Sequence, residues 1–299
     1  MSPRKTIDTL VALVQAMRPL QWVKNVVIFA ALVFDRQLGL NNLQPMLRTL
    51  AGFIIFCLLS GVVYIFNDIA DIEADRTHPK KRERPIASGR LPIPVAVISG
   101  VLILAVILPV SYWLSPAFAA VALGYFLLNL AYSKWIKHIA ILDVFAIALG
   151  FVLRVAAGVT LIQVARFSPW LYVVTTLASL YFGFGKRRAE LGLLADQANA
   201  HRKVLSGYTL PMLDQYLTIV SATTIMAYSL YTFSAPNLPE NHVMMLTIPF
   251  VLYGIFRYLY LVQTQGGGGA PEETMIRDRP LQVVVLLWGV SILMIFYIF

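Results

Sequence analysis

The stretch AGFIIFCLLSGVVYIF, residues 51–66, contains no charged side chain, and similar runs recur along the chain at lengths close to the roughly 20 apolar residues that cross a bilayer. The runs place spans at about Trp22–Phe34, Leu47–Phe66, Pro94–Trp113, Ala117–Tyr132, Ile139–Ile162, Pro169–Phe184, Tyr216–Phe233, Val243–Val262 and Leu281–Phe299. Backbone polar groups in hydrocarbon must be satisfied within their own segment, so such runs become helices. The expected fold is therefore all-α and polytopic, with about nine transmembrane helices. Hydrophobic residues make up 59% of the chain and charged residues 13%, which excludes a water-soluble domain. No charged leader followed by a short apolar run and a small-residue cleavage site opens the sequence, so no removable signal peptide is expected.

Lys and Arg are unevenly distributed between the connections. With the N-terminus inside and alternating spans, one side receives Arg4, Lys5, Arg18, Lys24, the cluster Arg76 to Arg90, Lys134, Lys137, Lys186, Arg187, Arg188, Arg202, Lys203, Arg257, Arg277 and Arg279. The other keeps Arg36, Arg48 and Arg166. This asymmetry is the positive-inside pattern. A basic face toward anionic lipid accounts for the net charge of +9 without a nucleic-acid partner. Cys57 is the single cysteine, so neither a disulfide nor a Cys-based metal site is available, and the four His residues lack ligand spacing. The chain reads as one membrane domain, 1–299, with an N-terminal cytoplasmic segment 1–17 and cytoplasmic loops 67–91, 186–215 and 263–280.

Directly after the apolar run comes NDIADIEADRTHPKKRERPIASGR, residues 67–90. If the helix continues, Asn67, Asp68, Asp71 and Asp75 share one face at three- and four-residue spacings, while Glu73 points away toward water. Like charges stacked in this way repel unless a cation sits among them, and Mg2+ suits an oxygen-rich site that also holds phosphate. The competing reading, that acids merely mark where the helix leaves lipid, accounts for one or two of them but poorly for a one-sided array of Asn67 and three Asp. Lys80, Lys81, Arg82, Arg84 and Arg90 follow, and Arg84, beside Pro85 and a Ser-Gly turn, is the one singled out as a phosphate ligand. KRRAE, with Lys186, Arg187, Arg188 and Glu190, repeats the theme after the sixth span, either as stop-transfer charge or as a phosphate site. Arg154 sits mid-span, where a charge must meet a partner or a polar cavity. Asp143, eleven residues earlier, is too distant to pair with it directly, and either could meet a residue of another helix instead.

These residues carry a resemblance over nearly the whole chain. NDIADIEAD resembles the NDxxDxxxD signature of the UbiA superfamily of intramembrane prenyltransferases, RPIASG its following loop, and YSKWIK its Tyr-Ser-x-x-x-Lys element. The resemblance implies nine helices around a central cavity, with acidic motifs that bind Mg2+ and pyrophosphate. Typical aromatic prenyltransferases of the family carry a second Asp-rich motif after the sixth span, where this chain has YFGFGKRRAELGLLAD. With that departure, RPLQWVKN at Arg18 to Asn25 and GGGGAPEETMIRDRPL before the last span, the chain is more similar to the branch that moves phosphoribose onto decaprenyl phosphate.

That branch implies Mg2+-dependent transfer of 5-phosphoribose from phosphoribosyl pyrophosphate to a polyprenyl monophosphate, with release of pyrophosphate, for lipid-linked arabinose donors and cell-wall arabinan. On this reading Asn67, Asp68, Asp71 and Asp75 hold the metal. Lys186, Arg187 and Arg188, with Glu190 beside them, meet donor phosphates, Arg84, Tyr132 and Lys137 complete the phosphate pocket, and Arg18 and Lys24 lie near the lipid phosphate. The implied setting is a bacterial inner membrane with the site facing the cytoplasm, and a homo-oligomer is compatible with it. Two other classes stay open at this point: an aromatic or quinone-precursor prenyltransferase using a polyprenyl diphosphate, and a non-enzymatic lipid transporter or binding protein. The glycine-rich 266–273 segment reads as a flexible linker slightly more than as a mobile lid.

Overall fold

The computed structural model describes residues 3–39, 42–164, 168–195, 203–235, 238–264 and 271–298. All regular structure among them is helical, as the apolar runs require. Helix α1 (Pro3–Ala16) leads into an 11-residue 3₁₀ segment (Pro19–Phe29) and a short α2 (Ala30–Phe34). There follow α3 (Gln44–Ala70), α4 (Ile72–Thr77), α5 (Ile93–Leu114), α6 (Pro116–Lys134) and α7 (Leu142–Val159). The remainder comprises α8 (Pro169–Ala195), α9 (Leu210–Ser234), α10 (Ile248–Thr264), α11 (Pro271–Arg277) and α12 (Arg279–Tyr297).

Among the described residues, six helices are long and apolar enough to cross a membrane, and a seventh span forms if the segments Ile7–Ala16 and Pro19–Phe34, bent by 49°, count as one. The chain is thus a multi-pass membrane protein, but the expected count of about nine is not reached on that criterion. The two shortfalls fall at α8 and α9, which stand where the sixth and seventh spans were expected and are 27 and 25 residues long. Their composition is diluted by polar side chains. In α9 these are hydroxyls turned back onto their own helix: Thr218 Oγ1 donates to the Asp214 carbonyl at 2.9 Å, Thr224 to Val220 at 2.6 Å and Ser229 to Ile225 at 2.8 Å. Such back-bonding satisfies the hydroxyl internally.

Three boundaries also move. α8 runs on to Ala195, so Lys186 to Ala195 is helix rather than the start of the expected 186–215 loop. The expected 67–91 loop contains the end of α3, all of α4 and a 3₁₀ turn at Lys81–Glu83. Most of the expected N-terminal segment 1–17 is α1. Residues 196–202, with His201 and Arg202, residues 165–167, with Arg166, and residues 265–270, which hold the four glycines, lie outside the described residues.

Contacts divide the chain into two compact units. The first comprises Met1–Leu32, Gln37–Trp135 and Leu153–Gln163, and the second Val33–Arg36, Ile136–Val152 and Val164–Phe299. In the first, α3 packs on α5, α6 and the 3₁₀ segment around buried Ile28, Phe56, Leu59, Phe118, Tyr125 and Leu161. Lipid is as apolar as these side chains, so close packing rather than removal from water holds them together. At the closest approach, a Cβ added at Gly158 on α7 would strike the carbonyl oxygen of Ile28 in the 3₁₀ segment.

The second unit centres on α8 against α9 and α10, with Tyr181, Phe184, Leu213, Leu217 and Tyr258 buried. Tyr181 donates its hydroxyl to the Ile255 carbonyl at 2.6 Å. Asp278 caps α12 by accepting from the Leu281 amide at 2.9 Å, and Arg257 bonds its two oxygens at 3.2 and 2.7 Å. Those bonds hold the Asp278 carboxyl below the usual carboxylate range. A depressed carboxylate contributes its stability above its unfolded value and loses it only as pH falls through the lowered one, so this cap persists into mild acid.

Gly158→Ala is expected to destabilise the protein by about 1–3 kcal/mol, the typical penalty of overpacking. Thermal unfolding in detergent reads it, and an unchanged melting temperature would show that α7 can retreat from Ile28 at no cost.

Candidate functional site

Two polar clusters stand out, one in each unit. In the first, α3 ends at Ala70 and α4 starts at Ile72, with Asp71 at the junction (φ −101°, ψ 12°). The helical bonding pattern nevertheless continues, since the Asp71 amide donates to Asn67 at 3.0 Å and the Asp75 amide to Asp71 at 2.8 Å. The four-residue spacing from Asn67 to Asp71 and from Asp71 to Asp75 thus survives the break. Asp68 and Asp75 are buried, Asn67 and Asp71 are half-buried, and Glu73 is exposed and paired with Arg76 at 3.0 Å. Glu73 therefore faces water, as its position in the motif predicts.

The two buried acids are bridged by cations of their own chain. Arg84 Nη1 lies 2.6 Å from Asp75 Oδ2 and 3.2 Å from Asp68 Oδ1, so the arginine expected to meet phosphate is here engaged with the two buried acids. Arg18 pairs with Asp68 Oδ1 from the start of the 3₁₀ segment, where its own backbone is left-handed (φ 52°), and its guanidinium lies 4.7 Å from the Tyr64 ring centroid. Lys24, further along the same segment, is half-buried, as is Tyr132 on α6.

Among the described residues, no three His, Cys, Asp or Glu side chains stand in an arrangement that would hold a metal ion. The donor chemistry nevertheless fits a hard cation. Asn67, Asp68, Asp71 and Asp75 supply oxygen donors on successive turns, and Asp68 Oδ2 is buried with no hydrogen-bond partner. A buried carboxylate oxygen left unbonded is costly, and a divalent ion would satisfy it.

The second cluster gathers around the end of α8. Arg187 is 1% exposed; its Nε lies 2.6 Å from Asp143 Oδ2 at the start of α7, and its Nη1 pairs with Glu190. Asp143 is fully buried and accepts the Tyr208 hydroxyl at 2.7 Å on its other oxygen. The Tyr208 oxygen in turn accepts the amide of Ile141. Burial, and then the neighbouring Asp143 carboxylate, push the Tyr208 hydroxyl above the usual phenol range, so it remains a donor at neutral pH. Arg188 bonds Asp214 at 2.6 Å and the Val262 carbonyl at 3.1 Å. Lys186 and Lys137 are half-buried.

Sequence reasoning assigned Arg187 and Arg188 to donor phosphates, whereas here their guanidiniums cross-link α8 to α7, α9 and α10. The separation anticipated for Asp143 and Arg154 holds: Asp143 meets Arg187, and Arg154 donates from Nε to Asn25 at 2.8 Å. Tyr208 and Asp214 escaped notice. Nothing around Tyr208 forms a motif, but Asp214, an acid among the apolar residues that open α9, carried a readable signal.

The profile of the UbiA prenyltransferase family matches residues 26–274. A protein of Corynebacterium glutamicum named decaprenyl-phosphate phosphoribosyltransferase is 35% identical over 96% of this chain and 87% of its own length. One of Mycobacterium tuberculosis with the same name is 34% identical over 92% of this chain and 91% of its own. Among solved structures, a UbiA homolog from Archaeoglobus fulgidus bound to DMAPP and Mg2+ superposes with a TM-score of 0.71 at 17% identity, covering 96% of this chain and 99% of its own.

Tyr208→Phe removes the donor to Asp143 and the acceptor of the Ile141 amide. It is expected to cost about 1–3 kcal/mol, the penalty for stranding buried polar groups, seen as a lower melting temperature in detergent. Unchanged melting would mean that Arg187 alone satisfies Asp143.

Proposed function

The chain belongs to the UbiA prenyltransferase family, and from that premise we propose that it transfers 5-phosphoribose from phosphoribosyl pyrophosphate to a decaprenyl-like polyprenyl monophosphate, releasing pyrophosphate. The observation that carries this reading is the identity of 34–35% over more than nine-tenths of the chain to proteins named decaprenyl-phosphate phosphoribosyltransferase. The basic end of α8 supports it through Lys186, which this reading gives to a donor phosphate, a group held by Lys and Arg and repelled by added carboxylates.

In the reaction the bond from the sugar anomeric carbon to pyrophosphate breaks and a bond to an oxygen of the lipid phosphate forms. Mg2+ would neutralise the departing pyrophosphate. Asn67, Asp68, Asp71 and Asp75 would hold it, the buried Asp68 Oδ2 being the oxygen that gains most from a ligand. Arg84 keeps Asp68 and Asp75 together and directed inward. Lys186 is the cation proposed for donor phosphate, on a helix end fixed by Arg187 and Arg188, and Tyr132 and Lys137 are proposed as further phosphate ligands. Arg18 and Lys24 would receive the lipid phosphate. That phosphate is ionised at neutral pH, so no general base is required. The charge asymmetry of the connections supports a plasma-membrane protein whose site faces the cytoplasm.

The test is an assay of the purified protein in detergent with Mg2+, labelled phosphoribosyl pyrophosphate and polyprenyl monophosphate, beside 4-hydroxybenzoate with polyprenyl diphosphate. Label entering the lipid phase is the expected outcome, and prenylation of the aromatic acid instead would return the chain to the aromatic prenyltransferases. Lys186→Glu should abolish transfer while leaving a folded protein, and retained activity would remove Lys186 from the site. Asp71→Asn should weaken rate and Mg2+ dependence together, so an unaltered Mg2+ titration would remove the acidic motif from the metal.

A further inference from the structure

Arg154 plays no part in the reaction as set out above, yet a guanidinium is kept inside the apolar stretch LGFVLRVAAG, where a charge is expensive. It is 7% exposed. Its Nε donates to Asn25 Oδ1 at 2.8 Å, one terminal nitrogen donates to the Tyr125 hydroxyl at 2.7 Å, and its carbon lies 4.7 Å from the centroid of that ring. Asn25 is fully buried, and its amide nitrogen lies 3.3 Å from Ser60 Oγ and 3.4 Å from Cys57 Sγ on α3. The network thus joins α7 to α6 directly and to α3 through one residue of the 3₁₀ segment.

That segment needs outside support. A 3₁₀ helix has poor hydrogen-bond geometry and seldom exceeds three or four residues, whereas this one runs for 11 and is entered through a left-handed Arg18. Helix α7 meets it at two points: Arg154 bonds Asn25, and one turn further along Gly158 lies against the Ile28 carbonyl. Lys24 is the neighbour of Asn25, and Arg18, on Asp68, stands at the head of the segment.

We propose that Arg154 is a positioning residue: through Asn25 it sets the 3₁₀ segment in place, and with it Lys24 and Arg18. Resting on the reading that these two cations receive the lipid phosphate, Arg154 governs recognition of the acceptor without touching it.

The experiment uses the full-length protein in detergent, comparing Arg154→Gln, Arg154→Lys and Tyr125→Phe by hydrogen exchange and by steady-state kinetics. Arg154→Gln should speed exchange over residues 19–29 while α5 stays protected. It should also raise KM for polyprenyl phosphate about tenfold, the equivalent of one lost hydrogen-bonded contact, and leave KM for phosphoribosyl pyrophosphate nearly unchanged. Arg154→Lys, which keeps a donor for Asn25, should recover part of both effects. Tyr125→Phe removes the other partner and should leave both near wild type.

Equal rises in both KM values with exchange accelerated throughout α3, α5 and α6 would reduce Arg154 to a structural role. No change in either readout would overturn the proposal outright. If Arg154→Gln fails to fold, Asn25→Ala takes its place with the same expected pattern. Should the wild type transfer no phosphoribose, the functional reading fails, while the exchange data still decide whether Arg154 sets the segment.

Discussion

A carboxylate withdrawn from water is costly unless a partner is brought to it, because low-dielectric surroundings penalise a lone charge. Four acids of this protein meet that constraint in the same way. Asp68 and Asp75 are closed by Arg84 and Arg18, and Asp143 and Glu190 by Arg187. Apart from Arg187–Glu190, which lies within α8, each pairing joins chain segments that the apolar spans alone would leave without a fixed register. Arg18 ties the 3₁₀ segment to α3, Arg84 ties the loop after α4 back to the acidic motif, and Arg187 ties the end of α8 to the start of α7. Packing of small and aromatic side chains holds the helices side by side, but it is tolerant of sliding. The ion pairs are not, since a guanidinium fork accepts few geometries.

Much of the first cluster was legible because it is local. The spacing of Asn67, Asp68, Asp71 and Asp75 and the nearby Arg84 fall within eighteen residues, and helix geometry alone places most of them on one face. The break at Asp71 was not foreseen, but the bonding pattern that crosses it preserves the spacing. The second cluster is non-local. Arg187 is separated by 44 residues from Asp143, and Tyr208 by 65. A basic residue just beyond an apolar run reads as surface charge by default, so the near-complete burial of Arg187 has no local signal. The count of nine spans is not reached by composition for a different reason: hydropathy counts every hydroxyl in α9 as polar, whereas Thr218, Thr224 and Ser229 return theirs to their own backbone.

The polar groups within the first unit also differ in purpose. At Asp68 and Asp75, acids are matched by cations that, under the proposed function, a substrate and its metal would exchange for themselves. At Arg154 the described partners are an amide and a phenol, and the contacts resemble a joint more than a binding surface. Burial of a charge is thus compatible with two opposite requirements, one for exchange and one for permanence. The second is met by partners that themselves have further bonds to make, as Asn25 does with Ser60 and Cys57.

The continuation of α8 through Ala195 gives the run Lys186, Arg187, Arg188 a geometry that a loop would not. On an α-helix successive residues diverge by about 100° around the axis, so three adjacent cations cannot converge on one anion. They are distributed instead. Arg187 turns toward α7 and Arg188 toward α9 and α10, while Lys186 starts from a position about 100° away from Arg187 around the axis. What looks in one dimension like a single patch of triple charge is, in the folded helix, three separate addresses, and neighbouring positions that appear redundant carry independent constraints.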